Sequence, residues 1–150
     1  MKSKIFKITA ILLIFAGSVF SCGNEDDYNP LMNTKWKLVG IGSLDKIALQ
    51  ELEPKDCNGC YTIWFSTDST FRGVSTNNVL MGSYKTDTET GAFCFINVVG
   101  TEVGEIGHGY IYVDILRKIQ SFTINDTQPK TLHLYYNDGK NYLKYKERGD

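Results

Sequence analysis

The stretch that decides the fold is Thr131-Leu132-His133-Leu134-Tyr135-Tyr136-Asn137-Asp138-Gly139-Lys140-Asn141-Tyr142-Leu143-Lys144-Tyr145. Two apolar-alternating segments flank a four-residue turn, Asn137 to Lys140. Side chains on a strand point to opposite faces in turn, so Leu132 and Leu134 share one face. Asp138-Gly139 suits a tight turn that needs positive φ, and a hairpin is expected. Ser121-Phe122-Thr123-Ile124, leading into Asn125-Asp126, reads as the strand before it.

Upstream the period changes. Ile111, Tyr112, Ile115, Leu116 and Ile119 follow helical spacing, with Asp114, Arg117 and Lys118 on the other side. A helix is expected within Tyr110 to Ile119. Its β-branched residues weaken its intrinsic preference. Before it stand Gly100, Gly104, Gly107 and Gly109, which read as a flexible connector.

Further back lie two more hairpins. Tyr61 to Phe65 and Thr70 to Val74 flank Ser66-Thr67-Asp68-Ser69, with Tyr61, Ile63, Phe65 and Phe71 expected on one side. Val79 to Lys85 and Ala92 to Val98 flank Thr86 to Gly91. A first strand is expected at Lys35-Trp36-Lys37-Leu38-Val39-Gly40-Ile41. The excursion Ser43 to Cys60 contains Leu44, Ile47, Leu49 and Leu52, which fit a short strand or a helical turn. Pro54 and Asp56-Cys57-Asn58-Gly59-Cys60 end it. The expectation is a mainly β (α+β) domain. It is an antiparallel meander or partly closed barrel-like sheet of seven or eight strands, with one late helix packed on it. Aromatic residues make up 13% of the chain, ample material for such a core.

The chain starts with Lys2, Lys4 and Lys7, followed by an apolar run from Ile8 to Phe20. That run is shorter than the roughly 20 residues a membrane-spanning helix needs. It has the layout of a secretory signal. Val19-Phe20-Ser21-Cys22-Gly23 resembles the lipobox of bacterial lipoproteins. The resemblance implies that residues 1–21 are removed and that Cys22 becomes an acylated N-terminus. Gly23 to Pro30 is polar and acidic and reads as a tether over 22–30. It is similar to the acidic signal that follows the lipidated cysteine in surface lipoproteins of Bacteroidetes. The domain is expected over 31–150. The implied location is the bacterial outer membrane, facing the periplasm or the cell surface. The expected membrane contact is the N-terminal lipid.

Loss of Lys2, Lys4 and Lys7 leaves 13 bases against 17 acids, a formal charge of −4. Such an acidic average suits neither nucleic acid nor electrostatic docking on anionic lipid.

Outside the cytoplasm, thiols two residues apart tend to oxidise, and Cys57 and Cys60 are the candidate disulfide. A redox motif would need a helix after the pair, where Tyr61 to Phe65 reads as strand. Cys94 is the odd thiol. It is read as a small apolar group packed in its strand, although spacing leaves open a bond to Cys57 or Cys60. Cys57, Cys60 and Cys94 with His108 or His133 would make a zinc set on paper, but no second spaced pair exists. His133 is expected on a solvent face and His108 in the mobile connector. Glu102 and Glu105 are read as solvated loop acids that a ligand or partner touches at most. Tyr135, Tyr136, Tyr142 and Tyr145 are expected to pack across strands, with a carbohydrate or peptide face as the alternative. No catalytic residue, metal site or cofactor is expected.

The order of elements resembles the META (HslJ-like) domain. The likeness rests on the Trp36-Lys37-Leu38 opening and the Phe65 to Phe71 hairpin. Asn77-Asn78-Val79-Leu80-Met81-Gly82-Ser83-Tyr84 follows, and Phe122-Thr123-Ile124, Leu132-His133-Leu134 and Tyr142-Leu143-Lys144-Tyr145 close it. It covers residues 31–147. The resemblance implies a small antiparallel β fold with one helix, found in envelope lipoproteins, and it carries no catalytic motif. The expected role is a non-enzymatic binding or supporting module with a protein partner in the envelope. The alternatives are an inhibitor of a secreted hydrolase, presenting the Cys57 to Cys60 loop, and a lipocalin-like carrier.

Overall fold

The computed structural model describes residues 28–149. Cys22, the signal segment and most of the acidic tether lie outside the described residues. The elements run β1 (Thr34–Ser43), β2 (Lys46–Gln50), β3 (Thr62–Phe65), β4 (Thr70–Val74), β5 (Val79–Asp87), β6 (Ala92–Gly100), α1 (Gly109–Leu116), β7 (Ser121–Asn125), β8 (Thr131–Tyr136) and β9 (Asn141–Glu147).

All pairings are antiparallel, and the sheet order is β2-β1-β3-β4-β5-β6-β7-β8-β9 with β1 also paired to β9. The first and last strands therefore close a ring. β1 achieves this with its length. One edge pairs with β9 from Trp36 to Ser43, while the other is shared between β3, at Thr34 to Lys37, and β2, at Ile41 to Ser43. The weakest seam is β6 to β7, where Ala92 opposite Ser121 is the register pair. Helix α1 sits beside that seam, and the Arg117 guanidinium donates to the Val98 carbonyl over 3.4 Å.

The interior follows from alternation. Trp36, Ile63, Phe65, Phe71, Leu80, Tyr84, Phe93, Leu132, Leu134, Leu143 and Tyr145 are all buried in one cluster. Aromatic rings fill much of it, as Phe65 meets Tyr84 at 4.9 Å and Phe71 meets Phe95 at 4.6 Å between centroids. Such pairs add about 0.5–1.5 kcal/mol each beyond their buried area. Tyr112 and Leu116 of α1 complete the cluster with no exposed surface.

The mainly β class and the single helix match the expectation, with differences in detail. There are nine strands, one more than the larger count expected. The additional strand is β2, whose burial lacks alternation because it lies beside β1 outside the ring. The helix ends at Leu116 because its last turn tightens. The Lys118 amide donates to Ile115 and that of Ile119 to Leu116, three residues back each time. Ile111 is 49% exposed, so the apolar stripe is narrower than its periodicity suggests.

Candidate functional site

On β1, Trp36 and Leu38 point inward, so Lys37 between them points out. On β9, Tyr145 points inward, which turns Lys146 outward. Register places Lys37 directly opposite Lys146, and Arg148 follows two residues on. These bases border a cleft of about 720 Å³ whose lining includes Leu52, Pro54, Lys55 and Tyr61.

The far wall is the excursion after β2, and long-range bonds hold it in place. The Glu53 carbonyl accepts from the His108 amide and from the Tyr61 hydroxyl, while the Glu53 amide donates to His108 Nδ1 at 2.9 Å. Cys57 and Cys60 are joined by a disulfide, with Cα atoms 5.3 Å apart. Three carbonyls of this loop face the cations. Lys37 Nζ donates to Cys57 O at 2.7 Å and Cys60 O at 2.5 Å, and Arg148 donates to Asn58 O at 3.3 Å. Burial lowers the Lys37 pKa, and the charges of Arg148 and Lys146 lower it further. Glu51, also in the cleft wall, pairs with Lys55 at 3.1 Å.

The other candidates fall elsewhere. Cys94 is a free thiol and exposed. This corrects its reading as a packed apolar group. Alternation sends Phe93 and Phe95 into the core and Cys94 to the opposite face. The disulfide occupies Cys57 and Cys60, and the structure does not gather the paper zinc set. No group of three or more His, Cys, Asp or Glu suited to a metal occurs among the described residues.

His108 is not in a mobile connector, since its backbone and ring both clamp Glu53. Glu105 is not a solvated acid. It accepts from the Ser75 and Thr76 hydroxyls, the Thr76 and Asn77 amides and the Asn78 side chain. Burial pushes its pKa up, but these donors outweigh that and hold it at about 2. Asn78 also bonds the Val103 backbone in both directions, so the 101–108 segment is stapled to the β4–β5 turn. Glu102 is exposed, as expected.

The tyrosines divide between two faces. Tyr145 is wholly buried and donates to Tyr112 Oη at 3.1 Å. Tyr135 and Tyr142 oppose each other on the outer face, with their rings 5.8 Å apart. His133 is half-buried against Tyr142, at 4.7 Å, and not fully on the solvent side. Burial, then the Lys144 charge, lowers its pKa.

Lys37, Lys146 and Arg148 were not singled out from the sequence. Outward-facing bases on β1 and β9 were the available signal, but only the ring-closing register joins them. The formal charge of the whole sequence, −1, conceals this segregation.

No family model matches the chain, and neither does any curated protein. Solved structures do share the fold. A protein from Burkholderia xenovorans determined by NMR superposes with a TM-score of 0.65 at 22% identity, over 80% of this chain and 85% of that one. The crystal structure of a DUF4847 family protein from Bacteroides vulgatus ATCC 8482 gives 0.59 at 15% identity, over 81% of this chain and 96% of that one. At these identities the likeness is one of fold alone.

Proposed function

We propose that this chain is an exported lipoprotein, held to the outer membrane by acyl chains on Cys22, whose β barrel is a non-enzymatic binding module. The observation that carries the binding role is the contrast between a filled barrel and an ordered external cleft. Aromatic side chains occupy the ring's interior. The main cleft lies outside it, with Lys37 and Arg148 bonded to the Cys57–Cys60 loop. A few fixed polar groups set in a partly apolar pocket are how proteins orient small ligands. The disulfide is in keeping with an oxidising compartment.

The packed interior speaks against a lipocalin-like carrier. The loop carbonyls are turned to the chain's own cations, which disfavours the loop as a projecting inhibitor element.

The test is metabolic labelling with an alkyne fatty acid, followed by membrane fractionation. The native chain should take up label and sediment with outer membrane. Cys22→Ala should lose the label and leave the membrane fraction. Equal labelling of both, or a native chain found wholly in the soluble fraction, would refute the anchor.

A further inference from the structure

The β1–β9 ladder brings like charges together at a cost to the free protein. Lys37 and Lys146 are direct cross-strand partners. Opposed side chains on one face stand roughly 5 Å apart, where like charges repel. Among the described residues, no carboxylate forms an ion pair with Lys37, Lys146 or Arg148. Two acids also line the cleft: Glu51, which pairs with Lys55 at 3.1 Å, and Glu147, which stands across from Trp36 in the ladder.

Donor capacity remains at these cations. An ammonium has three N–H donors, and Lys37 spends two on the loop carbonyls. Arg148 spends one guanidinium nitrogen on Asn58, which leaves a fork that matches tetrahedral oxyanions. The bonds to the loop also fix where both cations point, so less ordering is needed when an anion arrives. The cleft measures about 720 Å³. That is within the range of roughly 300–1,000 Å³ typical of small-molecule sites and larger than a bare ion needs. Leu52, Pro54 and Val39 give it an apolar wall.

We infer that this cleft binds a phosphate monoester of sugar size, with Lys37, Lys146 and Arg148 on the phosphate and the carbon skeleton against Leu52, Pro54 and Val39. The inference rests on the binding-module reading above and names its ligand class. A soluble ester and a lipid headgroup share this chemistry.

The test is calorimetric titration of the full chain, reconstituted in phosphatidylcholine vesicles, with glucose 6-phosphate and with glucose. One saturable site for the ester and none for glucose is expected. Lys146→Gln and Arg148→Gln should each weaken binding about tenfold, the size of one charge-assisted hydrogen bond, and Lys146→Arg should largely retain it. Both side chains are exposed, so the substitutions should leave the circular dichroism spectrum unchanged. Phosphatidic acid added to the vesicles separates the sources. Competition supports a lipid headgroup, and its lack supports a soluble ester. No saturable heat with millimolar ester from a folded chain, or affinity indifferent to both Gln substitutions, would overturn the inference. If that chain still carries lipid and stays on the membrane, the anchoring proposal survives, so the two failures are distinguishable.

Discussion

The Lys37 ammonium donates to the Cys57 carbonyl across 2.7 Å, tying the first strand of the ring to the disulfide loop twenty residues later. A second bond to Cys60 makes the contact two-pronged. A lysine side chain loses up to about 2 kcal/mol of rotamer freedom when fixed. Here that entropy is lost during folding, not on ligand arrival. The disulfide thus has a positioning task besides closing a loop.

Glu105 should give the fold an acid-sensitive staple. Its folded pKa, about 2, lies below the ordinary 4.5. A depressed carboxylate contributes stability that is fully present above the unfolded value and lost as pH falls toward the folded one. Glu105→Gln should therefore lower stability near neutral pH, by about 1 kcal/mol once solvent screening of the partly exposed carboxylate is allowed for. Urea melts between pH 4.5 and about 2 should be less pH-dependent in the variant. An unchanged slope would contradict this role.

Tyr112 and Tyr145 should be coupled. Both are wholly buried, and each hydroxyl has the other as its partner. Tyr112→Phe removes the acceptor of a buried donor and should cost about 1–3 kcal/mol. The double Phe variant should lose less than the sum of the single variants, because both polar groups leave together. Additive denaturant midpoints would contradict the pairing.

Gly82 should tolerate no side chain. A Cβ there would meet the Asn97 and Ile96 carbonyl oxygens at 2.6 and 2.7 Å, at the irregularity where β5 and β6 shift register. Gly82→Ala should destabilise by about 1–3 kcal/mol through overpacking. Gly59→Ala, with nothing within 4 Å of its added carbon, should stay within about 0.5 kcal/mol. Thermal melts of the pair check both values.

Cys94 should react with a maleimide in the folded chain, being a free, exposed thiol. Cys57 and Cys60 should label only after reduction. Peptide mass mapping distinguishes the positions. A protected Cys94 would contradict its outward orientation.

Local patterns were legible where burial alternates. The β8–β9 hairpin carries Leu132 opposite Tyr145 and Leu134 opposite Leu143, as their spacing implies. Asn137, Asp138 and Gly139 all adopt positive φ in the turn between them. What escaped was non-local. Closing the ring pairs Trp36 with Glu147, and no local period reports a contact across that separation. His108 looked mobile between glycines because its partner, Glu53, lies 55 residues away. Glu105 looked solvated for the same reason, since its donors sit on the β4–β5 turn. The cleft depends on both kinds of contact, so its cations were visible as letters and not as a group.

The most direct measurement is the affinity of the full chain for glucose 6-phosphate before and after reduction with dithiothreitol, followed by reoxidation. Freeing Cys57 from Cys60 should loosen the carbonyls that orient Lys37 and Arg148. Binding should weaken by about tenfold, or ~1.4 kcal/mol, and return on reoxidation. Equal affinity in both states would contradict the claim that the disulfide loop builds the site.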